Sequence, residues 1–412
     1  MSKHEVQKPT DITIPSSSLW AKLPALGGAL AVLGLGATLA AAAGDGRDRA
    51  MFSYLWAYEV FLGLALAALG FLVIDHTVRS SWSVVVRRIA ETMAVTLPLF
   101  VLLWIPIGTI GYHSLYPWTH ELHDALLAKK RWFLSDGFFF GRAAFYFIVW
   151  SALSWFLYST SVKQDALGDK PAERDALSRK LWKVSAGGVV LYGLTQSFAA
   201  IDWLMSLQPH WYSTIFGVYF FAASIQAFFA VLALLAMGLQ RGGALKHAIT
   251  VEHFHDLGKY TYGFTVFWAY IAFSQFVLIW YANIPEETIF YMTRLEGGWN
   301  WVSYLLPIGH FFLPFFLLLS RHVKRSRTGL AIAAGWSVLM YLVDLYWLIL
   351  PNFGTHSEPH QPALFAPTWT DVTALIGIGG AFFAVFGYFL NKNKVVAIND
   401  PRLPESLVHE NF

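Results

Sequence analysis

Residues 254 to 291 read FHDLGKYTYGFTVFWAYIAFSQFVLIWYANIPEETIFY. The run is apolar and exceeds the roughly 20 residues that a helix needs to cross a bilayer. It opens beside His255, Asp256 and Lys259 and ends in the acidic, proline-bearing loop Pro285-Glu286-Glu287. Ser274 and Gln275 lie inside it. Hydrocarbon offers such groups no water, so they are expected to face other helices or a wet cavity. The segment therefore reads as the inner wall of a helical bundle.

The rest of the chain has the same character. Of 412 residues, 56% are hydrophobic, 17% aromatic and only 13% charged, far too apolar for a soluble domain of this length. A net charge of +3 gives no argument for nucleic acid. With no cysteine, the chain can hold no disulfide, no thiolate-bound iron–sulfur cluster, no Cys-ligated zinc and no c-type haem attachment. Any electron carrier must belong to a partner or diffuse. The first apolar run ends in Ala-Ala-Ala-Gly like a signal-peptide cleavage site, but it exceeds the roughly 7 to 15 residues of a signal h-region and reads as an uncleaved span.

Runs of membrane length predict an all-α polytopic protein with about ten transmembrane helices, near 23–43, 51–74, 84–110, 137–161, 181–200, 213–239, 259–283, 299–320, 328–350 and 369–391. If the N-terminus is cytoplasmic, 22 of the 29 Lys and Arg residues fall on the inner side, an asymmetry that places both termini in the cytoplasm. The longest inner loop, 161–180, reads as a solvated charged connector. The outer loops 112–136, 201–212, 283–298 and 351–369 carry aromatics and proline, and Trp118, Trp132, Trp203, Trp211, Trp280, Trp299, Trp301 and Trp369 fall near outer span ends as an interfacial belt does. The organisation expected is a tail at 1–18, one membrane domain at 19–391 and a second tail at 392–412.

Few ionisable groups lie within the spans: Glu59, Glu91, Arg142, Asp202, His310 and Asp344. Each is a functional candidate, because a charge in lipid costs at least about 2.5–3.5 kcal/mol. At about 1.5 Å per residue, Glu59, Asp344 and His310 lie roughly 12, 9 and 16 Å below the outer ends of their spans and can share one layer. With Gln275, Tyr341 and Tyr346 nearby, they suit a proton relay or a quinol head-group pocket. The competing reading is a satisfied ion pair, His310 with Asp344, that fixes helix packing. Asp202 either joins this chemistry or simply caps an interfacial turn. On the inner side Asp75, His76, Glu91, His255 and Asp256 are candidates for a proton-uptake funnel, although charges at a cytoplasmic interface need no such role.

Two histidine clusters, 120–123 and 253–255, lack the H-E-x-x-H spacing that puts two imidazoles on one helix face, so no metal site is assigned. His310 is the only histidine well inside a span, which argues against a bis-His haem within this chain. Pro307 and Pro314 bracket His310 and can unwind its helix, a feature also expected of a secondary transporter. A purely structural membrane anchor is the third class.

Two stretches carry a resemblance: FAAIDWLMSLQPHWYSTIFGVYF at 198–220 and FWAYIAFSQFVLIWYANIPEETIFY at 267–291. Together they resemble the membrane subunits of alternative complex III, a bacterial quinol:electron-acceptor oxidoreductase, and length and span number are most similar to its F subunit, called quinone-binding subunit 2. The resemblance implies an NrfD/PsrC-like anchor of two four-helix bundles plus flanking helices in the bacterial inner membrane. It implies as partners a paralogous NrfD-like C subunit, an iron–sulfur subunit, c-type cytochrome subunits and, in some assemblies, a terminal oxidase. Haem c and iron–sulfur clusters would sit in those partners, and the quinone, menaquinone or ubiquinone, is more securely associated with the C subunit. The expected role of this chain is assembly and proton conduction coupled to quinol oxidation, with no catalytic residue assigned to it.

Overall fold

The computed structural model describes residues 9–120, 124–353 and 364–411. These residues form helices and loops with no strand among them. Ten helices are long and apolar enough to cross a membrane: α1 Leu19–Ala42, α2 Arg47–Val78, α3 Val84–Gly108, α4 Asp136–Asp165, α5 Pro171–Leu207, α6 Phe216–Arg241, α7 Val251–Ala282, α8 Trp299–Leu319, α9 Arg327–Asn352 and α10 Trp369–Lys392. A multi-pass membrane architecture follows. Every predicted span is present, but the edges differ: α4 and α5 extend to Asp165 and from Pro171, so most of the expected connector at 161–180 is helix. Its charges are those of a helix that outruns its apolar window.

The helix at the centre is α2, not α7. Every residue of α2 from 50 to 73 is buried, and it packs against α1, α3, α4, α5, α6, α9 and α10. A helix that is apolar all round is one surrounded by protein or lipid, and here protein surrounds it. By contrast, α7 buries a single stripe, Thr261, Thr265, Trp268, Ile271, Gln275 and Ile279, while Phe273, Leu278 and Trp280 are exposed. The inner-wall reading of the quoted stretch holds for that stripe alone.

Local sequence explains the breaks. In α3 the regular helix stops at Ala94 and resumes at Leu97, with Pro98 in the first turn of the second half. Proline cannot donate to the carbonyl four residues back, so the chain kinks there. α1 and α10 cross at backbone distance: a Cβ on Gly377 would lie 2.5 Å from the Leu35 nitrogen. Thr38 and Thr373 join their hydroxyls across the same contact at 2.9 Å.

The C-terminal segment is an ordered strap rather than a free tail. Val395, Val396 and Ala397 are fully buried, and Val395 N–H donates to the Ile12 carbonyl at 2.8 Å. Beyond them Asn399 donates to the Asp165 carbonyl, Arg402 to the Ser80 carbonyl, and Ser406 to the Trp82 carbonyl. The strap thus crosses the ends of α2, α3 and α4 on the side where the basic loops lie.

Candidate functional site

Four helices bring polar groups together in the interior. Tyr219 and Gln226 lie seven residues apart on α6; Thr261, Thr265 and Trp268 follow the helical period on α7; His310 comes from α8, and Tyr341 and Asp344 from α9. Spacings of three, four and seven put each set on one face. Asp344 is fully buried and accepts from the Tyr219 hydroxyl at 2.6 Å and the Trp268 indole N–H at 3.0 Å. His310 is also fully buried. Its Nε2 lies 2.5 Å from the Gln226 carbonyl oxygen, and its ring stacks on Trp268 with centroids 3.9 Å apart. Its Nδ1 faces Asp344 Oδ2 at 3.9 Å and has no hydrogen-bond partner. His310 and Asp344 are therefore neighbours at a distance just beyond a hydrogen bond.

The helix containing His310 is locally rewound. Residues Pro307–Phe312 form a π-helical turn, and the Leu313 N–H after it reaches back five residues to the Ile308 carbonyl. Pro314 has no N–H, so in this register the Gly309 carbonyl loses its partner. The Trp336 indole supplies one at 2.7 Å. Single π turns inside α-helices recur at functional sites, and this one turns the imidazole toward α6 and α7. The prolines bracketing His310 signal a disturbed helix in the sequence, but the register change and the Trp336 contact become legible only in three dimensions.

Glu59 is 1% exposed and its Oε1 has no hydrogen-bond partner. No hydrogen bond joins it to His310 or Asp344 among the described residues. The helix carrying it is nonetheless pinned to α9 at that level: Tyr341 donates to the Val60 carbonyl at 3.2 Å, and Trp56 to the Leu342 carbonyl at 3.0 Å. Tyr341 lies within electrostatic reach of both Glu59 and Asp344. On the other side stands Tyr116, from the loop after α3, whose phenol is pushed far up by burial and further by Glu59 and Asp202. The expected layer thus contains a contacting pair plus a separate carboxyl, with tyrosines between and beyond them.

The other candidates fall elsewhere. Asp202 does not cap a turn with its carboxylate. Arg142 Nε and Nη2 each donate to it at 2.8 Å, and the Tyr146 hydroxyl adds a third bond at 2.8 Å. The Arg142 guanidinium lies over the Phe133 and Phe138 rings, so this is a satisfied bidentate pair. Gln275 accepts from Ser213 at 2.9 Å, seven residues along α7 from Trp268. At the end of the bundle beneath the strap, Asp75, Glu91, Arg87 and Arg88 form one buried network closed by Asp165 and by Asp400 of the strap. Arg87 Nη2 donates to Asp400 at 2.5 Å, and Ser83 donates to Asp75 at 2.5 Å. Burial favours the neutral form of Asp400, but Arg87 and Arg402 overcome it and hold the carboxyl well below the ordinary range. His76 is buried beside this network with Nε2 unpartnered. Asp256 sits apart, held by Lys259 and by His409 of the strap, each at 2.5 Å, and His255 Nδ1 is unpartnered. His253 closes the N-terminal capping box of α7 and reaches the Ser406 carbonyl at 3.0 Å. Of the other histidine cluster, residues 121–123 lie outside the described residues.

Tyr219, Gln226, Thr261, Thr265 and Trp268 complete the site and are not among the residues the sequence singles out. A stripe of Thr261, Thr265, Trp268 and Gln275 at helical spacing was the available signal. Each Asp344 oxygen accepts one hydrogen bond, Trp268 covers one side of the imidazole, and Nδ1 faces the carboxylate. No protein-family model matches the chain, and comparison with curated proteins gives no match.

Proposed function

We propose that this chain is an integral membrane subunit of a quinol-oxidising respiratory complex of the alternative complex III kind, that it holds no redox centre, and that it supports assembly and conducts protons coupled to quinol oxidation. In this reading it lies in the bacterial inner membrane with both termini cytoplasmic, as the charge asymmetry of the loops favours. Helix contacts agree with two four-helix bundles: α2 to α5 contact one another, as do α6 to α9, while α1 and α10 flank them. The partners are a paralogous membrane subunit, which holds the quinone, and subunits with iron–sulfur clusters and haem c.

The observation that carries the proton-conducting role is the buried His310–Asp344 pair, with Nδ1 unpartnered 3.9 Å from the carboxylate. A packing pair would close that gap; a relay needs a site that can take up and give back a proton. Glu59, with a buried oxygen also unpartnered, extends the polar layer toward Tyr116. Purification in mild detergent, with subunit identification and a haem spectrum, tests the assembly. Recovery with c-type haem and an iron–sulfur subunit supports it, and a colourless, solitary chain refutes it. Within the complex Asp344→Asn should lower proton-coupled turnover roughly 100-fold, the scale of one lost acid–base group; unchanged turnover in an assembled variant counts against the relay.

The π turn at Pro307–Phe312 favours a second reading, a secondary transporter, because such proteins bind substrate at interrupted helices near the midplane. Solitary purification together with solute uptake by vesicles would support it.

A further inference from the structure

We infer that Gln226 is a positioning residue that locks neutral His310 into the Nε2–H tautomer, so that Nδ1 is the atom that exchanges a proton with Asp344. The inference rests on the relay reading for its functional part, while the tautomer itself follows from hydrogen-bond direction alone.

The direction is set from α7. Thr265 Oγ1 lies 2.8 Å from the Thr261 carbonyl, which can only accept, so the single hydroxyl proton of Thr265 is used there. The Gln226 atom 2.8 Å from Thr265 Oγ1 is then a donor, the amide nitrogen. The opposite arm of the amide, facing His310 Nε2 at 2.5 Å, is the carbonyl oxygen, which can only accept. His310 must therefore carry its hydrogen on Nε2. A neutral imidazole with Nε2–H has a bare lone pair on Nδ1. All links in this chain are fully buried, so no water competes to reverse it.

Two further contacts hold the ring in place. Stacking on Trp268 at 3.9 Å fixes its plane and favours the cation once formed. The Trp336 bond to the Gly309 carbonyl secures the π turn beneath it. Asp344, in turn, is oriented by Tyr219 and Trp268. The step is a simple exchange: the carboxylic proton of Asp344 passes to Nδ1, leaving a carboxylate beside an imidazolium, and the reverse transfer restores the neutral pair. Closing 3.9 Å to hydrogen-bond length takes about 1 Å of side-chain movement.

Nitrogen-15 NMR of the histidine-labelled protein in lipid tests the lock, with His310→Gln used to assign the signal among 14 histidines. The expected wild-type spectrum has a pyrrole-like Nε2 and a pyridine-like Nδ1. In Gln226→Leu the remaining acceptor is Asp344, so the proton should move to Nδ1 and the pattern invert. Thr265→Val frees the amide to rotate and should give both tautomers, with Thr265→Ser restoring one; this pair keeps the test alive if Gln226→Leu fails to fold. A wild-type Nδ1–H signal, or a pattern unmoved by these substitutions, overturns the lock. In the purified complex Gln226→Leu should lose proton-coupled turnover at least tenfold, and unchanged turnover with an inverted tautomer overturns Nδ1 as the exchanging atom. If the chain purifies without redox partners, the electron-transfer reading falls while the tautomer result stands, so the two failures are distinguishable.

Discussion

Replacing Asp400 by Asn isolates what the C-terminal strap contributes to the end of the bundle it covers. In the native protein its Oδ2 accepts from Arg87 Nη2 at 2.5 Å, with Arg402 on the outer side at 3.2 Å, and neither Arg87 nor Asp400 has an exposed side chain. Removing one partner of a buried pair typically costs about 3–5 kcal/mol. Here the lower end applies, because Glu91 still meets Arg87 Nε at 3.2 Å and Asp75 lies 4.0 Å from Nη1. A loss of about 3 kcal/mol corresponds to a little over a hundredfold in the equilibrium between docked and released strap, at about 1.4 kcal/mol per tenfold. Hydrogen exchange in lipid nanodiscs reads this directly. The amides at 395–406 should lose about two orders of magnitude of protection, while those of α2 and α6 keep theirs. The carboxyl is held below its ordinary range, so its contribution is complete above that range and is lost only as the pH falls through the folded value. Wild-type strap protection should accordingly stay level down to mild acid. An Asp400→Asn protein whose strap remains as protected as the native one would refute the ion pair as the latch.

Three other perturbations probe separate parts of the molecule. Arg142→Leu strands the buried Asp202 carboxylate with only Tyr146 and should cost about 3–5 kcal/mol; thermal unfolding in detergent should show part of the loss recovered when Asp202→Asn is added. Gly377→Val drives a side chain against the Leu35 nitrogen and the Gly34 carbonyl carbon, both backbone, so α1 and α10 must part, and crosslinking between cysteines introduced at 38 and 373 should fail. In the loop after α3, Asp124 is lowered to about 2 by its bond to His210 and by the Leu127 and Leu126 amides. A carboxyl carbon titration should find that midpoint, with anchoring complete above the ordinary carboxylate range and lost as pH falls through about 2, and His210→Ala should raise it.

What could be read from the sequence was whatever hydrocarbon makes expensive. Span length and apolarity gave ten helices, and the cost of buried charge singled out His310 and Asp344, which do meet. Which helix lies at the centre was not legible, because a lipid-facing and a protein-facing apolar helix read alike: α1 and α2 are both long apolar runs, yet α1 buries only Gly27, Gly34, Thr38 and Ala42 while α2 buries every residue from 50 to 73. Hydrogen-bond partners were not legible either. Tyr219, Gln226 and Thr265 have ordinary polar side chains whose importance comes from which atoms they face across helices. Asp400, 313 residues after Arg87 and in a polar tail, shows no sign in the sequence of filling the Arg87 site, since pairing at that separation leaves no periodic trace.

The two buried polar regions differ in how they are charged. Beneath the strap two arginines are shared among Asp75, Glu91, Asp165 and Asp400, each carboxylate within ion-pair range of a guanidinium. Removing any one of these charges breaks contacts with several others. Both regions leave buried polar atoms without a hydrogen-bond partner, His310 Nδ1 and Glu59 Oε1 in the interior and Asp75 Oδ2 and Arg87 Nη1 beneath the strap, where an unmade hydrogen bond costs about 1–3 kcal/mol. Around the 3.9 Å gap between His310 and Asp344, Gln226 claims Nε2 of the imidazole, Trp268 the ring, and Tyr219 the carboxylate. On the relay reading, this leaves Nδ1 open to take the Asp344 proton and give it back, as conduction through hydrocarbon requires.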